Sequence, residues 1–150
     1  MIASVRGEVL RAGLDHVVVE VGGIGLLVKT TPGTATSLRR GQSAQLATSL
    51  VVREDSLTLY GFADTGEREV FRTVQTVSGI GPRLALTMLS TLSAGQIREA
   101  IATEDVALLM TVSGLGRKSA QRLIVDGRSR GESPATIQIP TWAPSHEPHP

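Results

Sequence analysis

Twice this chain sets two glycines one residue apart and follows them with cations. Residues 78–86 read "SGIGPRLAL" and residues 113–121 read "SGLGRKSAQ". Gly79 and Gly81 precede Arg83, while Gly114 and Gly116 precede Arg117, Lys118 and Arg122. Glycine accepts φ > 0 and leaves no side chain between the main chain and a ligand. A helix that begins just past the second glycine offers unpaired N–H groups and the positive end of its dipole. That is chemistry for holding an anion, and the neighbouring cations make a nucleic-acid phosphate the fitting one. Pro82 stands where a first-turn proline forfeits no hydrogen bond.

The resemblance between the two turns extends into their flanks. Val74, Val77, Gly79, Ile80, Gly81, Ala85 and Leu89 in the first copy match Leu109, Val112, Gly114, Leu115, Gly116, Ala120 and Ile124 in the second, 35 residues on from Gly79 to Gly114. The apolar residue between the glycines plugs the turn into its core, and the small alanine lets two helices approach closely. This is the helix-hairpin-helix pattern in two full copies. Glycines serving only tight turns between packed helices would give the same spacing; the basic residues after both copies favour phosphate contact. Over residues 114–130 the net charge is +4, from Arg117, Lys118, Arg122, Arg128 and Arg130 against Asp126, whereas the whole chain carries only +1. The charge excess is therefore local. Backbone amides and phosphate-directed cations carry no sequence information, so base-specific reading is not expected.

The elements that must position these turns follow from hydrophobic periodicity. Residues 1–63 read as β: "SVRGEVL", "HVVVEVG", "IGLLVKT", "AQLATSLVV" and "LTLYGF" are short Val-, Leu- and Thr-rich runs between Gly, Asp, Pro and Ser. In the third run Ile24, Leu26 and Val28 share one face, and Gly25, Leu27 and Lys29 the other. Five such runs fit a small closed barrel of the OB type, although another five-stranded topology shares the pattern. Gly7, Gly22, Gly23 and Gly25 are candidates for bulges or bends. From Asp64 the period becomes helical. "DTGE" opens one helix that carries Val70, Phe71, Val74 and Val77, Ser93 with Gln96 opens another, and Thr103 a third in "TEDVALLM". Residues 64–126 thus form an all-α domain, giving an α+β chain. Residues 127–150 hold five of the seven prolines and only scattered apolar residues, the composition of a disordered tail.

Composition excludes several chemistries. Without cysteine there is no disulfide, thiolate metal site or cysteine nucleophile. No apolar run reaches the ~18 residues that span a bilayer, and "MIASVRGEVL" lacks the charged and apolar regions of a signal peptide. A cytoplasmic protein with no membrane partner and no cofactor is expected. Aromatics make up 3% of the chain, too few for a barrel that grips single strands by stacking. Tyr60 and Phe62 read instead as core or domain-junction residues. Glu54 and Asp55 lie side by side in "VVREDSLTLYGF". By residue type they suit an ordinary turn, and no His, Asp or Glu cluster accompanies them to make a metal-nuclease site.

Taken together, a barrel carrying "VVRED" and "LYGF", then "SGIGPRLAL" and "SGLGRKSAQRLIV", resembles the RuvA family over residues 1–126. The resemblance implies an OB-like first domain and a tandem helix-hairpin-helix second domain. It also implies a homotetramer, single or as two stacked tetramers, that holds an open four-way junction. Glu54 and Asp55 then correspond to an acidic pin at the tetramer centre. The partner so implied is the RuvB ATPase, consistent with the lack of a "GxxxxGK[ST]" loop here. "SGLG" stands where the family commonly has "PGIG", which keeps both glycines. After "RLIV", "DGRSRG" is expected to break the helix. Residues 127–150 lack the pattern of the family's RuvB-contacting third domain, so recruitment of that motor is doubtful. The expected function is non-catalytic binding of four-way junction DNA. Its rivals are a general duplex- or RNA-binding module, and a repair glycosylase or nuclease docking through the hairpins.

Overall fold

The structure, a computed structural model, describes residues 1–129; of the tail expected to be disordered, 127–150, residues 127–129 are helical and the rest lies outside the described residues. Five strands, β1 (Ser4–Ala12), β2 (His16–Val21), β3 (Ile24–Lys29), β4 (Ser43–Arg53) and β5 (Ser56–Phe62), close into a barrel in the order β1-β2-β3-β5-β4. Neighbours are antiparallel except β3 and β5, which run parallel and meet at only two register pairs, Val28 with Leu59 and Lys29 with Tyr60. Alternation places Val5, Val9, Val17, Val19, Val28 and Leu46 inside, since successive side chains point to opposite faces of a strand. On β3 the alternation holds for Val28 and Leu26, but Ile24 at the hairpin end is exposed. Gly22 and Gly23 form the β2–β3 turn, with φ of 57° and 85°. The register shift of β1 falls between Val9 and Arg11, at none of the glycines expected to mark bulges in the strands.

A short helix absent from the sequence reading, α1 (Pro32–Ser37), joins β3 to β4. Its few residues carry no helical period, but Thr31 caps it by accepting from the Thr34 N–H and Pro32 occupies its first turn.

The helical part comprises α2 (Thr65–Val74), α3 (Pro82–Thr91), α4 (Ala94–Ala102), α5 (Val106–Leu109) and α6 (Arg117–Ser129). Asp64 caps α2, its carboxylate accepting from the Glu67 N–H at 2.8 Å. Ser93 and Gln96 form a reciprocal capping box on α4. The seam with the barrel is aromatic: Tyr60 and Phe62 of β5 each lie 4.9 Å, centroid to centroid, from Phe71 of α2. All three are buried within the core that also holds Val74, Met88, Ile97 and Leu109. Arg68 reinforces the seam by donating to the Ala3 carbonyl at 2.7 Å.

Two helix boundaries differ from expectation. Thr103 does not open a helix but ends α4, its N–H donating to Glu99 O at 2.8 Å. Glu104 then turns the chain with φ of 58°, and Asp105 caps the single turn of α5 by accepting from the Leu108 N–H. A helix start read from Thr103 thus slips by one cap, because Asp105 offers an equally good capping oxygen two residues on. The helix expected to break at "DGRSRG" instead continues as α6 through Asp126 and Gly127 to Ser129. Gly127 is where α6 approaches α4: a Cβ there would lie 2.6 Å from Ile101 Cγ2. Close packing explains this glycine.

That contact generates a test. Gly127→Ala would gain about 1 kcal/mol in helix propensity but overpack against Ile101, at a cost of about 1–3 kcal/mol. Chemical denaturation should show a net loss of stability. A gain would mean that the helices do not meet at Gly127.

Candidate nucleic-acid interface

The two glycine turns have one backbone geometry. Gly79 and Gly114 both take φ of 90°. The N–H of Ile80 donates to Val77 O at 3.1 Å, and that of Leu115 to Val112 O at 3.1 Å. Ala85 donates to Gly81 O at 3.0 Å, and Ala120 to Gly116 O at 2.9 Å. Even the approach repeats: Thr76 and Thr111 each donate their hydroxyl to the carbonyl three residues back at 2.6 Å. The residues expected to plug the turns, Val77, Ile80, Val112 and Leu115, are all buried, as are Ala85 and Ala120 between the helices.

The glycines of each pair divide the work. Gly79 and Gly114 take the left-handed conformation, which a side chain enters only at a cost of about 1–2 kcal/mol. Gly81 caps α3 with φ of −96°, which any residue can adopt, and provides no side-chain hydrogen bond. Gly116 stands in the corresponding place before α6, with nothing within 4 Å of where its Cβ would be. Elsewhere the helix starts are closed by side-chain oxygens, from Thr31, Asp64, Ser93 and Asp105. Among the described residues only α3 and α6 begin on a glycine, and neither has an acidic residue in its first turn.

Cations gather at these open starts. Arg83, Arg117, Lys118 and Arg122 are exposed, and among the described residues none has an ion-pair partner. The turns also adjoin: Leu84 of α3 reaches Gly114, with Cδ1 3.5 Å from the position of a Cβ there. The barrel adds a cation that sequence reasoning missed. Arg53 ends β4, and its Nη2 lies 3.9 Å from where a Gly81 Cβ would be. Arg53 and Gly81 are distant in sequence, and only the docking of the β4–β5 hairpin beside α3 brings them together.

Glu54 and Asp55 form the two-residue turn between Arg53 and Ser56, which pair in register. Both acids are exposed, and neither takes a positive φ. The docking of Arg53 therefore puts this acidic turn at the end of the barrel next to the first glycine turn. The aromatic seam fixes that relation. Tyr60 and Phe62 are buried core residues and offer no stacking platform. Among the described residues no group of three or more His, Asp or Glu could hold a metal ion.

Residues 1–61 match the family described as "RuvA N terminal domain", and residues 71–128 the one described as "SAM-like Helix-hairpin-helix tandem". The protein of Salinispora arenicola named "Holliday junction branch migration complex subunit RuvA" is 51% identical over 149 residues, covering 95% of this chain and 74% of that protein. Its namesake in Beutenbergia cavernae is 54% identical over 140 residues, 90% of this chain and 70% of that protein. The chain belongs to the RuvA family. Against the relative of the same name in Nocardia farcinica, 52% identical over 130 residues, it covers 87% of itself and 65% of that protein. The chain thus spans about two thirds to three quarters of the length of these RuvA relatives.

The division of work within each glycine pair is testable. Gly79→Ala and Gly114→Ala should each lower stability by about 1–2 kcal/mol, through left-handed strain. Gly81→Ala and Gly116→Ala should leave the denaturation midpoint nearly unchanged yet weaken DNA binding, by setting a methyl group over the amides. Equal loss of stability at all four positions would contradict this assignment.

Proposed function

We propose that this chain binds four-way (Holliday) junction DNA as the non-catalytic subunit of a branch-migration complex in recombination and repair. The observation that carries the reading is the pair of uncapped, cation-flanked helix starts beside an acidic turn. The phosphate contacts are assigned to the amides following Gly79–Gly81 and Gly114–Gly116, and to Arg83, Arg117, Lys118 and Arg122. Arg53 adds to the first of these sites. Residues 1–63 serve as the barrel unit, and those from Asp64 to the end of α6 at Ser129 as the hairpin unit.

Glu54 and Asp55 act by repulsion. Two unit charges about 4 Å apart interact by ~4 kcal/mol at an effective dielectric near 20, enough to keep phosphates from closing over the turn. Attraction at the hairpins with repulsion beside them suits strands that part at a crossover better than a continuous duplex. A homotetramer, as the family resemblance implies, would set four such arrangements around one point. Val52 and Leu57 support such an assembly. They are register partners just behind the acidic turn and are 61% and 71% exposed, an apolar pair that a neighbouring copy would cover. By family resemblance the energy for migration comes from a separate RuvB-type ATPase, and the complex works in the cytoplasm. Among the described residues, no helix is long and apolar enough to cross a membrane.

Two experiments test the assignment. Replacing Lys118 and Arg122 with alanine should weaken junction binding and make it less sensitive to salt, each lost phosphate contact reducing the log–log slope by about 0.9. An unchanged slope would remove both residues from the interface. Glu54→Gln with Asp55→Asn should tighten duplex binding relative to junction binding. If the preference does not move, the acidic turn has no part in selectivity.

A further inference from the structure

A second concentration of cations lies at the other end of β4, where the glycine turns do not account for it. The step in β1 between Val9 and Arg11 displaces the strand at Leu10. Against this step sits the turn leading from α1 into β4. That turn is held firmly: Gly41 donates to Val9 O and Val9 to Gln42 O, both at 2.8 Å. Gln42 N–H donates to Arg39 O at 3.0 Å, and the Gln42 side chain accepts from Arg39 N–H at 3.1 Å. Between the step and the turn is a groove of about 690 Å³ lined by Leu10, Arg11, Ala12, Leu38, Arg39 and Arg40. Leu38 is half-buried on the barrel core and Leu10 is 36% exposed. Arg11, Arg39 and Arg40 are exposed, and among the described residues none has an ion-pair partner.

Three unpaired guanidiniums around two leucines call for carboxylates carried beside apolar side chains. Arginine's planar fork matches a carboxylate with two parallel hydrogen bonds. A phosphate backbone would satisfy the arginines but leave Leu10 and Leu38 with nothing to bury against. Position argues the same way. β4 has 11 residues and rises about 3.3 Å per residue, so the groove lies on the order of 30 Å along the strand from Arg53 and the glycine turns. We propose that this groove docks an acidic, leucine-bearing peptide segment of a partner protein. Its carboxylates pair with Arg11, Arg39 and Arg40, and its apolar side chains seat on Leu10 and Leu38. Because the turn's backbone is already fixed, binding costs chiefly the freedom of the arginine side chains.

The test uses the full chain and a short fluorescent peptide alternating Glu and Leu, with two control peptides, Gln for Glu and Ser for Leu. Anisotropy should show the Glu–Leu peptide bound at least about tenfold more tightly than either control. Arg39→Ala with Arg40→Ala should weaken it about tenfold, while junction DNA affinity stays within about twofold. Arg6→Ala, an exposed barrel arginine outside the groove, should leave peptide binding unchanged. Undiminished peptide binding by the double variant would overturn the proposal, as would an equal loss with Arg6→Ala, which would indicate diffuse charge. Loss of DNA affinity as steep as loss of peptide affinity would also overturn it, making the groove a nucleic-acid contact.

Discussion

The first N–H groups of α3 and α6 have no side chain to accept them, because the residues before these helices are Gly81 and Gly116. A capping oxygen at such a position is worth only a few tenths of a kcal/mol over glycine, and every other helix start in the described residues has one. Leaving two open forgoes that stabilisation twice. The surroundings offset it: Val77 and Ile80 in one turn, and Val112 and Leu115 in the other, are buried on either side of a left-handed glycine. The turns are thus rigid while their amides stay available, which is the arrangement an anion site requires.

The aromatic seam turns those sites into a geometry. Phe71 packs against Tyr60 and Phe62, and β5, which carries both, is half of the hairpin that ends in Glu54 and Asp55. The seam therefore fixes where negative charge stands relative to the hairpins. Net charge contributes little, since the chain is nearly neutral. At physiological salt, exposed charges act over about 8 Å, so selectivity must come from where the charges are placed.

Much of this was legible in the sequence because it rests on local chemistry. The five strands follow from alternation, the capping box of α4 from Ser93 and Gln96, and the paired turns from glycine spacing. Tyr60 and Phe62 were readable as junction residues because so small an aromatic content leaves little for surface stacking. What escaped depends on packing between distant segments. Arg53 looks like any strand-end cation until the hairpin docks beside Gly81. Gly127 looks like a helix breaker until Ile101 is seen against it. The cap of α5 was misplaced because Thr103 and Asp105 are both competent, and the backbone turn at Glu104 decides between them. The helix α1 has no periodicity to reveal it.

The most direct measurement is an equilibrium competition between a four-way junction and a linear duplex of the same strand sequences, at fixed salt. The account predicts that the junction is retained against a large molar excess of duplex. Equal displacement by the two DNAs, nucleotide for nucleotide, would contradict it, leaving the open helix starts as phosphate sites with no preference for branched DNA.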